Sequence, residues 1–246
     1  MLQKNQSSKF SSIFLAFAFL IIYLFSPFAA KSQQFRIACI GNSITAGARL
    51  TQPKTESYPA VLSSMLKQGE YLNYEVKNFG IGGATILRFG KPNLWSLLDS
   101  LQNFKPDIVL IKAGTNETVG KPRLNWEHIN EFEQDYSDYI FLIRKINPDC
   151  RIVICSPLDM VIQTEGLSAE RIEDLSGRRP RIWELRKRIK KIARSEQVSF
   201  LDLTKPFKGK ANLMTKSDGV HPNLEGYHYL ASLVFDYLVK NRIVLR

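Results

Sequence analysis

Five short strand-like runs, each separated from the next by a helix-length segment, constrain this chain more than any other feature. The runs at 35–40, 74–79, 108–112, 151–155 and 198–203 have strand length, and all but 74–79, which holds Glu75, Lys77 and Asn78, are mostly Val, Ile, Leu, Phe and Cys. Near-continuous apolar runs of that length are what strands buried on both faces require. Between them, the spacing of apolar residues predicts helices at about 57–68, 93–104, 129–146 and 180–196, and Asn223 can cap a last helix running to about residue 240. Strand–helix alternation of this kind needs crossover connections. It therefore points to an α/β domain whose parallel sheet of about five strands is covered on both faces. The stretch 157–179 breaks the pattern: its periodicity is weak and its charges many, so it reads as a long surface excursion over the strand ends.

The first 32 residues have a different character. Lys4 and Lys9 give a positive start, 13–25 is an unbroken apolar run, and Ala30-Lys31-Ser32 offers small residues for cleavage. That run has the length of a signal-peptide core and is too short to span a bilayer. The expectation is an exported protein, periplasmic or extracellular. Its leader would be 1–32, its one folded domain 33–246, and no membrane span would remain after cleavage. The formal charge of the 246 residues is +11, and the leader carries three lysines and no acid, leaving +8. Nucleic acid is a poor fit for this excess. In the densest basic cluster, 178–194, Ile182, Leu185, Ile189 and Ile192 recur at helical spacing, which turns the basic residues to solvent, and the lone aromatic, Trp183, makes no alternating series with them. Three cysteines, with Cys39 and Cys155 inside apolar runs, suggest buried thiols rather than a disulfide framework or a metal site.

Polar residues gather where the strands stop. Gly41-Asn42-Ser43-Ile44-Thr45 follows the first, Gly80-Ile81-Gly82-Gly83 the second, and Gly114-Thr115-Asn116-Glu117 the third. In a parallel sheet those ends lie side by side and form the ligand crevice. A serine there needs a base, and the chain has only three histidines. His128 opens a polar helix with no carboxylate suggested beside it, and His228 lies within the last helix between two tyrosines. His221 sits in a loop with Asp218 three residues before it, a spacing that lets the carboxylate orient the ring as in a hydrolytic triad. The backbone N–H groups of Gly80 and Ser43 and the side-chain amide of Asn116 are then candidate donors to an oxyanion.

Taken together, Gly41 to Thr45, the Asn78-Phe79-Gly80 block, Gly114-Thr115-Asn116 and Asp218-Gly219-Val220-His221 resemble, in order and spacing, the motifs of the SGNH hydrolases, also called the GDSL esterase and lipase family. The resemblance implies a flavodoxin-like three-layer αβα sandwich. It implies Ser43 as nucleophile, His221 as base and Asp218 as its partner, with an oxyanion hole of Ser43, Gly80 and Asn116, and no metal or organic cofactor. Two positions depart from the commonest pattern: Asn42 and Glu117 each replace an aspartate. Among family members the chain looks most like bacterial carbohydrate O-acetylesterases, sialate O-acetylesterase-like and xylan acetylesterase-like proteins included. The implied substrate is an acylated carbohydrate or another small ester. A lipase, lysophospholipase or thioesterase is the alternative within enzymes, and a non-catalytic glycan-binding protein the alternative outside them. Tyr58, Arg88 and Trp126 lie near the motif loops as candidates to face a sugar.

Overall fold

The computed structural model describes residues 34–245, and the expected leader lies outside them. Strands β1 (Phe35–Gly41), β2 (Tyr74–Gly80), β3 (Ile108–Lys112), β4 (Arg151–Cys155) and β5 (Ser199–Leu201) form one sheet in the order β2-β1-β3-β4-β5. Every neighbouring pair is parallel. The strand order reverses between β1 and β3, which pair directly, Gly41 opposite Lys112. In doubly wound sheets that reversal opens a crevice at the carboxyl ends of the two strands.

Alternation along each strand divides the core into two layers. From β1, Ile37 and Cys39 enter one cluster with α3 (Tyr58–Gln68) and α7 (Leu224–Lys240), through Leu62, Leu66, Leu230 and Val234. Ala38 and Ile40 enter the other with α4 (Leu98–Phe104), α5 (Phe132–Ile146) and α6 (Ala169–Ser195), through Leu101, Tyr136, Ile140, Leu185 and Ile189. The result is the expected αβα sandwich of five strands. Completely buried leucines and isoleucines each stabilise such layers by about 1.5–3 kcal/mol.

The structure differs from the helices expected from the sequence in three places. Trp126–Glu131 forms a 3-10 turn before α5, and Leu94–Leu97 another before α4. The larger difference is α6. It begins at Ala169, capped by the Ser168 hydroxyl accepting from Arg171 N at 3.1 Å, and runs without a break through Gly177 and Pro180 to Ser195. The excursion therefore covers only about the first half of 157–179. Between β1 and α3 lie two one-turn helices, α1 (Ser43–Ala46) and α2 (Pro53–Glu56). Among the described residues no helix is long and apolar enough to cross a membrane.

Candidate active site

The β1 terminus is built so that a serine faces the crevice. A Cβ on Gly41 would lie 2.2 Å from Thr45 Oγ1 and 2.7 Å from Lys112 O, so the chain turns there only as glycine. Asn42 then caps α1, its Oδ1 accepting from Ile44 N at 3.1 Å. Asparagine thus keeps the turn that an aspartate would make. Ser43 occupies the first helical position, half-buried, where its N–H has no partner within the helix.

The other partners come from the far end of the chain. Ser43 Oγ lies 2.8 Å from His221 Nε2, across 178 residues of sequence. His221 Nδ1 lies 3.0 Å from both Asp218 oxygens. Asp218 Oδ1 also accepts from Val220 N at 3.0 Å and His221 N at 2.9 Å, and Oδ2 accepts from Arg49 Nε at 2.9 Å. Burial alone would raise the Asp218 carboxyl. The hydrogen bonds and charge from His221, with the two backbone N–H groups, outweigh it and hold the group well below the usual carboxylate range. The other histidines lie elsewhere: His128 pairs with Glu131 at 2.9 Å and stacks on Phe89, and His228 is exposed on α7.

Of the three expected oxyanion donors, the structure offers two and turns one away. Asn116 lies at the head of a 3-10 turn after β3, and its Nδ2 donates to Ala84 O at 2.9 Å, leaving the second amide hydrogen free for a ligand. Gly80 does not serve. Ile81 N donates to Gly41 O on β1 at 2.9 Å, so by strand alternation the preceding N–H points to the open edge of the sheet. There it meets Asn78 Oδ1 at 2.9 Å. The need for glycine at 80 is steric, since a Cβ would lie 2.1 Å from Ala46 N. The sequence reading missed the glycines that follow. Gly83 takes a φ of +76°, its N–H meets no protein acceptor among the described residues, and its neighbour Ala84 is the residue Asn116 grips.

Glu117, where the commonest pattern has an aspartate, makes structural hydrogen bonds. Fully buried, it accepts from Ile86 N at 2.7 Å and Gly114 N at 2.8 Å, stitching the loop after β2 to the loop after β3. Burial pushes its carboxyl up despite those two bonds. Nearby, Lys112 closes β3 completely buried, with an Nζ that meets no hydrogen-bond partner among the described residues. Burial lowers it to about 8.

Over the crevice lies the first half of α6. Arg171 Nε reaches Asp218 O at 3.1 Å, and Arg178 reaches Thr118 Oγ1 at 3.1 Å and Thr115 O at 3.3 Å. Further along, Arg179 holds Asp159, Arg186 holds Asp202 and Arg188 holds Glu133. The basic cluster is therefore not simply a solvated face: its arginines bind across the fold, while Lys187, Lys190, Lys191 and Arg194 stay exposed. Of the suggested sugar contacts, Tyr58 is core and Arg88 is engaged by Asp135, Asp138 and the Trp95 ring. Trp126 is half-buried beneath Arg181.

A doubly wound α/β sheet with a serine, a histidine and an aspartate joined across its switch point has the form of a serine hydrolase. Residues 39–229 match the model of the GDSL-like lipase/acylhydrolase family, and the chain belongs to that family. An acetylxylan esterase of Xylanibacter ruminicola is 29% identical over 84% of this chain and 43% of its own length, so the chain spans less than half of that relative. Among solved structures, a lipase/acylhydrolase from Enterococcus faecalis superposes with a TM-score of 0.66 at 20% identity, over 85% of this chain and 97% of the other. A carbohydrate acetylesterase from Sinorhizobium meliloti does so with 0.65 at 17%, over 84% and 99%. At those identities the likeness shows the fold.

Proposed function

We propose that the protein is a serine esterase that removes O-acetyl groups from carbohydrates. The observation that carries this reading is the 2.8 Å contact between Ser43 Oγ and His221 Nε2, with Nδ1 on Asp218. In the proposed reaction His221 takes the Ser43 proton as Oγ attacks the acetyl carbonyl. The tetrahedral oxyanion is held by the N–H groups of Ser43 and Gly83 and the free amide hydrogen of Asn116, each such donor being worth about 3–4 kcal/mol. Collapse breaks the bond to the sugar oxygen, which leaves with the proton from His221. Water, deprotonated by the same ring, then attacks the acetyl-enzyme and releases acetate. No step calls on a cofactor. Family membership and the acetylxylan esterase relative support an acetylated glycan as substrate. The charged, leader-like character of 1–32 supports export to the periplasm or beyond.

The test is acetate release from a panel of acetylated xylan, acetylated sialic acids and p-nitrophenyl esters of increasing chain length. The expected outcome is Ser43-dependent release from an acetylated glycan, a preference for acetate over octanoate, and loss of about 10³-fold or more in Ser43→Ala. A preference for octanoate would favour a lipase. Glycan binding without turnover, equal in wild type and S43A, would favour a binding protein.

A further inference from the structure

We propose that Arg49 is a positioning residue for the Ser43–His221–Asp218 unit: it fixes the Asp218 carboxylate so that both of its oxygens stay against the His221 ring. This rests on the hydrolase reading above. Asp218 Oδ1 is pinned by the N–H groups of Val220 and His221, but apart from the His221 ring the closest donor to Oδ2 is Arg49 Nε at 2.9 Å. With one oxygen held from the backbone and the other by a guanidinium, the carboxylate plane cannot rotate about its Cβ–Cγ bond. Both oxygens then stay 3.0 Å from Nδ1.

The surrounding chain is arranged to deliver that guanidinium. Arg49 adopts φ +73°, a left-handed conformation that costs a non-glycine residue about 1 kcal/mol or more. The preceding residue is tied at both ends, Ala48 N donating to Ser43 O at 2.9 Å and Ala48 O accepting from Tyr227 OH at 2.9 Å. Arg49 therefore hangs from the same turn that carries Ser43, anchored to the helix that follows His221. Its side chain is 59% exposed against 5% for Asp218. An exposed ion pair alone would contribute little; what matters here is which oxygen it holds.

Two cations face the carboxylate, Arg49 from the loop after α1 and Arg171 from α6. Arg171 lies with Nη2 at 3.9 Å from Oδ1 and is shared with Asp174. Arg49 is the one whose side chain hydrogen-bonds a carboxylate oxygen. Removing it frees Oδ2 to turn away from Nδ1, so the ring is held less firmly for taking the Ser43 proton.

Arg49→Gln and Arg49→Lys test this role. For wild type and both variants, kcat and KM for p-nitrophenyl acetate are measured, and the His221 Nδ1–H signal is followed by 1H–15N NMR. In R49Q the expected result is a kcat lower by about five- to twentyfold with KM within twofold, and an Nδ1–H signal that is broadened or lost. In R49K a donor to Oδ2 remains, so kcat should recover in part. A folded R49Q with wild-type kcat and an unchanged Nδ1–H signal would overturn the proposal. Should R49Q fail to fold, an R49K with wild-type kcat would overturn it as well. If wild type hydrolyses no ester, the proposed function fails, and the Nδ1–H signal still decides the role of Arg49.

Discussion

At the residue scale, the two buried charged residues beneath the crevice, Glu117 and Lys112, differ in how they are hydrogen-bonded. Glu117 is buried but accepts two backbone N–H groups, so its charge is compensated. Lys112 is buried with no hydrogen-bond partner for Nζ among the described residues. A buried, uncompensated ammonium destabilises the fold until it loses its proton. With the folded pKa lowered to about 8 and the unfolded one near 10.4, the unfolded chain binds more protons between those values, so stability from this group rises with pH through that window. Lys112→Met should therefore raise stability by about 2 kcal/mol at pH 7, and that gain should shrink as pH climbs above about 8. Urea unfolding at pH 7 and at pH 9.5 checks both parts; equal stability at pH 7 would mean the ammonium is compensated. Neither Lys112 nor Arg49 was legible as special in the sequence. Lys112 ends an apolar run as any strand-terminal lysine might, and the Arg49–Asp218 contact joins residues 169 apart. Ser43 was legible because it follows the first strand, and His221 with Asp218 because the chain has only three histidines and this one has a carboxylate three residues before it.

At the scale of elements, strands were read well and one helix badly, for the same reason. β3 and β4 appear at the expected residues because strands covered on both faces must be apolar throughout. Gly80 shows the limit of that reading: an apolar run marks the strand but leaves open which side of it each N–H faces. α6 escaped detection in its first half because Gly177 and Pro180 interrupt it and its charges follow no simple stripe. Those charges have tertiary partners instead: Asp218, Thr115 and Thr118 take Arg171 and Arg178, the latter only 14% exposed, and both arginines also pair with Asp174 on the same helix. A helix held by side chains reaching across the fold can tolerate a proline that costs about 3 kcal/mol in an isolated helix. Gly177 has no such compensation, since a Cβ there would meet nothing within 4 Å. Gly177→Ala should thus stabilise the protein by about 0.5–1 kcal/mol through lost backbone freedom in the unfolded chain. Thermal unfolding measures it, and a lower Tm would show that the glycine is held in a shape alanine cannot take.

At the scale of the whole molecule, the site has no local existence. Ser43 belongs to the turn after β1, Asn116 to the turn after β3, and His221 to the loop that α7 terminates, so their meeting depends on β1 and β3 pairing and on α7 packing against α3. Any event that frees α7 carries His221 away from Ser43. Leu230 lies at the centre of that packing, completely buried with Leu62 and Leu66 in the same cluster. Truncating it to alanine removes a side chain whose deletion from a packed core costs about 2–5 kcal/mol, yet it touches none of the reacting groups. In Leu230→Ala the esterase activity of the folded fraction at 25 °C should stay within about twofold of wild type. The urea midpoints for activity and for circular dichroism should both fall, and by the same amount, because loss of the site and loss of the fold are one transition. An activity midpoint well below the circular dichroism midpoint in wild type would show that the His221 loop and α7 detach before the sheet unfolds. The crevice would then be a separately melting part of the molecule.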